Sequence, residues 1–147
     1  FRAGFQDPRV DALLPMAPGN AAELGPEGVA NIEKPTLLIT ASRDQQSRNE
    51  TSGDPYWDAL SGPETWRLDL TEGGHQSFVF ACEVTPGLFE DDGCGDDFMD
   101  YRRAHELINT YSLAFAYHSL FGHSGGLEYL NATVTPPEDV TLSSKSP

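Results

Sequence analysis

Pro35-Thr36-Leu37-Leu38-Ile39-Thr40-Ala41 runs directly into the polar turn Ser42-Arg43-Asp44-Gln45-Gln46. The unbroken apolar run predicts a strand buried on both faces, as in a parallel sheet covered by helices. In such sheets, sites are built at the carboxyl ends of the strands, which singles out Asp44. Further on, Thr65-Trp66-Arg67-Leu68-Asp69-Leu70-Thr71 alternates in the manner of a strand near the sheet edge and delivers the chain to Glu72-Gly73-Gly74-His75-Gln76-Ser77-Phe78. The two glycines predict a sharp turn with positive backbone torsions, from which the imidazole projects at the end of the sheet. Histidine titrates near neutral pH and can take and return a proton within one reaction cycle.

Between these strands, residues 53–62 place Tyr56, Trp57 and Leu60 at helical spacing, a short amphipathic helix closed by glycine. Strand, helix and strand make one crossover unit, so Asp44 and His75 are expected at one end of neighbouring strands. A buried carboxylate that accepts a proton from one ring nitrogen fixes the tautomer and leaves the other nitrogen to activate a hydroxyl. These are two thirds of a catalytic triad.

The remaining elements read outward from this unit. Arg9-Val10-Asp11-Ala12-Leu13-Leu14-Pro15-Met16-Ala17 predicts a strand weakened by Pro15. Residues 21–34 predict a loop with one helical turn around 28–32. Phe78-Val79-Phe80-Ala81 is expected to pack the histidine turn down. Residues 101–121 carry the longest helical pattern, with Leu107, Ile108, Tyr111, Phe115 and 117–120 as its apolar face and Gly122 as its stop. The stretch from Thr133, rich in Pro, Ser and Thr, predicts a loosely ordered tail after a single domain of residues 1–132.

The order acid then histidine, each following a strand, resembles the C-terminal half of the α/β-hydrolase fold, a mostly parallel sheet with flanking helices. More narrowly, Pro35 to Asp44 followed by Gly73-Gly74-His75-Gln76-Ser77-Phe78 is similar to the dienelactone-hydrolase-like and platelet-activating-factor-acetylhydrolase-like esterases, over roughly residues 7 to 130. The resemblance implies a serine hydrolase of carboxylic esters, with Asp44 as orienting acid and His75 as general base. It implies a small-molecule ester substrate and no cofactor. It also implies that the N-terminal half of the same domain, with its first strands, nucleophile elbow and oxyanion hole, precedes residue 1, so that the 147 residues alone are inactive. Gly122-His123-Ser124-Gly125-Gly126 satisfies G-x-S-x-G literally. Yet a helix enters it where the motif needs a strand, and it comes after the acid and histidine; a glycine-rich helix C-terminus accounts for it.

A chain of 147 residues, 38% hydrophobic and 22% charged, can bury one core. Its net charge of −14 argues against nucleic acid and anionic membrane surfaces. No apolar run approaches the ~20 residues of a membrane span, and Phe1-Arg2-Ala3-Gly4-Phe5 does not form a signal peptide. Cys82 and Cys94 are the only cysteines. A disulfide between them, worth about 2–3 kcal/mol by loop closure, is favoured over two free thiols. With the sequons at Asn49 and Asn131, it points to an extracellular or periplasmic setting. The acidic stretch 90–97 offers an alternative function, a non-catalytic extracellular module binding calcium or a protein partner through residues 90–100, although its spacing does not match an EF-hand. His105 and His118 have no second ligand spaced beside them, so a surface or packed role outweighs metal binding. Trp57 and Trp66 read as packing residues.

Overall fold

Strand β1 (Thr36–Ala41) is buried at every position, as its apolar run requires. The structure, a computed structural model, describes residues 7–19 and 24–145. The opening pentapeptide and the first part of the loop before β1 therefore lie outside the described residues. The rest of that loop contains a short helix α1 (Gly25–Ala30), with proline in its first turn, where the missing N–H costs no hydrogen bond. After β1 come one wide turn at Asn49–Gly53, helix α2 (Asp54–Ala59) and strand β2 (Thr65–Leu70), and beyond β2 the single-turn helix α3 (Ala81–Val84). β2 lies parallel to β1 in the register Thr36 with Thr65 through Ala41 with Leu70.

Side-chain alternation on the two strands sorts the core into two layers. Leu37, Ile39, Ala41, Trp66, Leu68 and Leu70 face helix α4 (Tyr101–Phe121), meeting Ala104, Leu107, Ile108, Tyr111 and Phe115. Leu38 faces the other way, onto Val29 of α1 and Leu60 beyond α2. Helices thus cover both faces of the sheet. β2 carries polar residues within its span, and they are paired: Arg67 Nε donates to Thr40 Oγ1 (3.1 Å), Arg67 Nη1 to Asp54 Oδ1 (2.7 Å), and Asn49 Nδ2 to Asp69 Oδ1 (2.9 Å). Pairing of this kind offsets the cost of taking polar groups out of water.

On the far side of β1, residues 13–17 form two parallel bridges, Leu13 with Thr36 and Met16 with Ile39. Leu13 N donates to Pro35 O, Leu37 N to Leu13 O, Ile39 N to Pro15 O and Ala17 N to Ile39 O, all at 2.9–3.0 Å. Pro15 has no N–H, so the rung between Leu13 and Ala17 is missing and the predicted strand is reduced to bridges.

The largest departure from the sequence reading is at the other edge. The sequence predicts a loosely ordered tail from Thr133, but Val140–Lys145 is strand β3, antiparallel to β2 from Leu70 with Val140 to Thr65 with Lys145. The three-stranded sheet has the order β1-β2-β3 and is mixed, where a mostly parallel one was expected. β2 is accordingly interior and not an edge strand. Asp139 binds Arg103 of α4 through Nε at 2.8 Å and Nη2 at 3.2 Å, and Lys145 Nζ donates to the carbonyls of Trp57, Asp58 and Leu60 at the end of α2. Burial pushes the Lys145 ammonium down from its ordinary value, against the attraction of Asp58.

α4 is capped by Asp100, whose side chain accepts from the Arg102 and Arg103 amides, and ends at Gly122 with φ +69°. Its apolar face is narrower than the sequence predicts, since Tyr117 and Leu120 are exposed. A last helix α5 (Gly125–Leu130) folds back against it. No helix among the described residues is long and apolar enough to cross a membrane.

Candidate active site at the strand ends

Asp44 and His75 meet. Asp44 leaves β1 through the turn Ser42-Arg43, and its side chain is almost fully buried. Oδ1 accepts from the amides of Gln46 (2.8 Å) and Ser47 (2.6 Å), a local turn that aims the other oxygen away from its own loop. That oxygen, Oδ2, lies 2.9 Å from His75 Nδ1. A carboxylate can only accept, so Nδ1 carries a proton and, in the neutral imidazole, Nε2 holds the lone pair. Nε2 makes no hydrogen bond to the described residues, and the imidazole is 29% exposed. The pair therefore presents a basic nitrogen at the surface, backed by a buried anion.

The histidine sits at the start of one 3₁₀ turn, His75–Phe78, reached from β2 through residues 71–74. Ser77, fully buried, accepts from the Gly74 amide through Oγ (3.0 Å), while its own amide donates to Gly74 O (3.1 Å). The two turns are also stitched to each other: Ser42 N donates to Leu70 O, Arg43 N to Gly73 O, and Arg43 Nη1 to Glu72 Oε2 at 3.1 Å. Phe78 packs on the core as expected. Val79 and Phe80 are exposed, and Phe80 instead sets its ring edge-on to His105 at 4.8 Å.

The acidic loop holds a residue that the sequence reading missed. Cys82 and Cys94 form a disulfide. Inside the loop they close, Asp92 is turned inward and buried, its Oδ1 accepting from the amides of His75 and Gln45 (both 3.1 Å) and its Oδ2 from Gln46 Nε2 (3.1 Å). Among the described residues no group of three or more His, Cys, Asp or Glu side chains is arranged to hold a metal ion. A run of acids around a glycine gives no hint that one of them points inward, because its partners lie 17 and 47 positions away.

The other candidates fall elsewhere. Ser124 is exposed between α4 and α5 and its side chain caps nothing. Six residues earlier His118 Nε2 lies 2.9 Å from Glu64 Oε1, at the entry to β2, whereas His75 lies beyond its exit. Ser124 thus belongs to the opposite end of the sheet. A groove of about 540 Å³ between α4 and α5, lined by Leu113, Tyr117, His123 and Tyr129, contains neither Asp44 nor His75. Of the two sequons, Asn49 spends its amide on Asp69, and Asn131, exposed, accepts from Trp66 Nε1 through Oδ1 (3.0 Å). Compared with known proteins, the chain matches no family model and no curated protein.

Proposed function

We propose that this chain supplies the acid and the general base of a Ser-His-Asp triad in a hydrolase of carboxylic esters, built on the C-terminal half of an α/β-hydrolase-like domain. One observation carries the reading: the buried Asp44 carboxylate, 2.9 Å from His75 Nδ1, with both residues coming after consecutive parallel strands at the same sheet end. In this role Asp44 holds the imidazole in the tautomer whose Nε2 is basic. Nε2 then takes the proton of the attacking hydroxyl and later returns it to the leaving alcohol. Residues 13–17 support the same reading, since they add a further parallel neighbour to β1. The serine and the oxyanion donors come from a segment outside these 147 residues.

The resemblance to the dienelactone-hydrolase-like and platelet-activating-factor-acetylhydrolase-like esterases is part of this proposal. So is an extracellular or periplasmic location, which the Cys82–Cys94 disulfide favours because such bonds persist in oxidising compartments. The test is hydrolysis of short p-nitrophenyl esters by a protein that joins this chain to its nucleophile-bearing segment. His75→Ala lowers kcat/KM by roughly 10⁴-fold or more, as removal of a triad base does. Ester hydrolysis at an unchanged rate in that variant overturns the assignment.

A further inference from the structure

We infer that Asp92 is a positioning residue for the Asp44–His75 pair, held in place by the Cys82–Cys94 disulfide; the inference rests on the triad reading of that pair. Its carboxylate lies between the exits of two strands. Oδ1 takes the amide of Gln45, next to the acid, and the amide of the histidine itself, while Oδ2 takes the side chain of Gln46. Gln46 in turn gives its own amide to Asp44 Oδ1, so the Asp92 carboxylate is coupled to the histidine directly and to Asp44 through one residue. Removing it leaves two amides beside the site without their acceptor.

The loop that carries Asp92 is fitted to the histidine turn backbone against backbone. A Cβ at Gly93, whose φ is +124°, would come within 3.0 Å of Gln76 N and 3.2 Å of Ser77 N. A Cβ at Gly74 would lie 2.6 Å from the Asp92 carbonyl carbon and the Gly93 nitrogen. Cys94 comes two residues after Asp92 and ties this contact covalently to Cys82 on the segment leaving the histidine turn. A buried carboxylate is retained only where its acceptors are satisfied, and here each partner belongs to the catalytic turns. A loop whose task was to hold surface acids would leave this one in water.

The experiment uses the 147-residue chain, uniformly ¹⁵N-labelled. In the wild-type protein the His75 ring gives a single tautomer with the proton on Nδ1 and a downfield Nδ1–H signal. Asp92→Ala is expected to lose that signal or mix the tautomers, and to speed amide exchange at His75 and Gln45 by roughly tenfold or more, the cost of an unmet buried donor. Asp92→Asn, which keeps the oxygen facing both amides, is expected to restore the signal. Cys82→Ser/Cys94→Ser keeps the carboxylate but releases the loop, and is expected to weaken the signal in the same direction. An unchanged His75 ring signal in folded Asp92→Ala overturns the inference; if that variant does not fold, an unchanged signal in the double serine variant does so. These readings need no substrate. An absence of esterase activity in the longer protein counts against the triad and leaves the ring measurement standing.

Discussion

Gly74 has φ −109°, a torsion that any residue can adopt, yet a Cβ there would meet the backbone of Asp92 and Gly93 at 2.6 Å. Its glycine is required by space, and neither neighbour is the movable end of a side chain. Gly74→Ala is expected to destabilise the chain by about 1–3 kcal/mol or more, the range for overpacking, and to do so by lifting the disulfide loop off the histidine turn. Urea unfolding at neutral pH reads the loss, and a midpoint equal to wild type shows that the loop moves away freely. The glycine pair at 73–74 marked the turn in the sequence, but for another reason, since positive torsions were expected and neither glycine has one. Asp44 and His75 were legible because each comes directly after a strand pattern, so local order placed them at one sheet end. Asp92 was not, because a buried acid in a hydrophilic loop differs from a solvated one only through contacts distant in sequence.

At the scale of elements, β3 owes its place to its flanks as much as to its pairing with β2. Arg103 reaches from α4 to grip Asp139 with two nitrogens, immediately before the strand begins, and Asp139 O accepts from Thr71 N (3.0 Å). The Arg103 hydrogen bond holds the Asp139 carboxyl below its ordinary value, against the opposing effect of burial. The sign is set by linkage: a carboxyl lowered in the folded state adds stability above its unfolded pKa of ~3.9, and that stability is lost as pH falls through the lower folded value. Arg103→Ala is therefore expected to lower the melting temperature by a few degrees at pH 7, with the gap to wild type closing in acid, as pH falls from the unfolded carboxyl value of ~3.9 through the lower folded one. Melting curves at the two pH values decide it; a gap that persists in acid assigns the loss to the packing of the arginine stem. The strand escaped the sequence reading because Val140 and Leu142 supply only two inward apolar positions, in a stretch otherwise rich in Thr, Ser and Pro. Their period of two was the available signal. The clear strands and α4 were legible because each repeats its apolar pattern over a longer span.

The whole molecule has two chemically distinct ends, and α4 joins them. At its start, Met99 N donates to Glu72 O (2.8 Å), beside the histidine turn; near its finish, His118 lies against Glu64, where β2 begins. Its 21 residues rise roughly 30 Å at 1.5 Å each, which puts the glycine-rich turn bearing Ser124 at the end of the helix remote from the histidine turn. A serine is activated by a base within hydrogen-bond reach, and nothing in the fold brings His75 Nε2 across that span. Ser124 also lacks the strained strand-to-helix turn that exposes a nucleophile, since α4 enters its turn and the six-residue α5 leaves it. The 147-residue chain, folded and treated with a fluorophosphonate, is therefore expected to keep its intact mass. An adduct mapped to Ser124 by peptide sequencing would place the reactive centre at the wrong end of the sheet and remove the basis for assigning His75 as the base. An unmodified chain, together with labelling of an upstream serine in the longer protein, is the outcome that a triad divided between two halves of one domain requires.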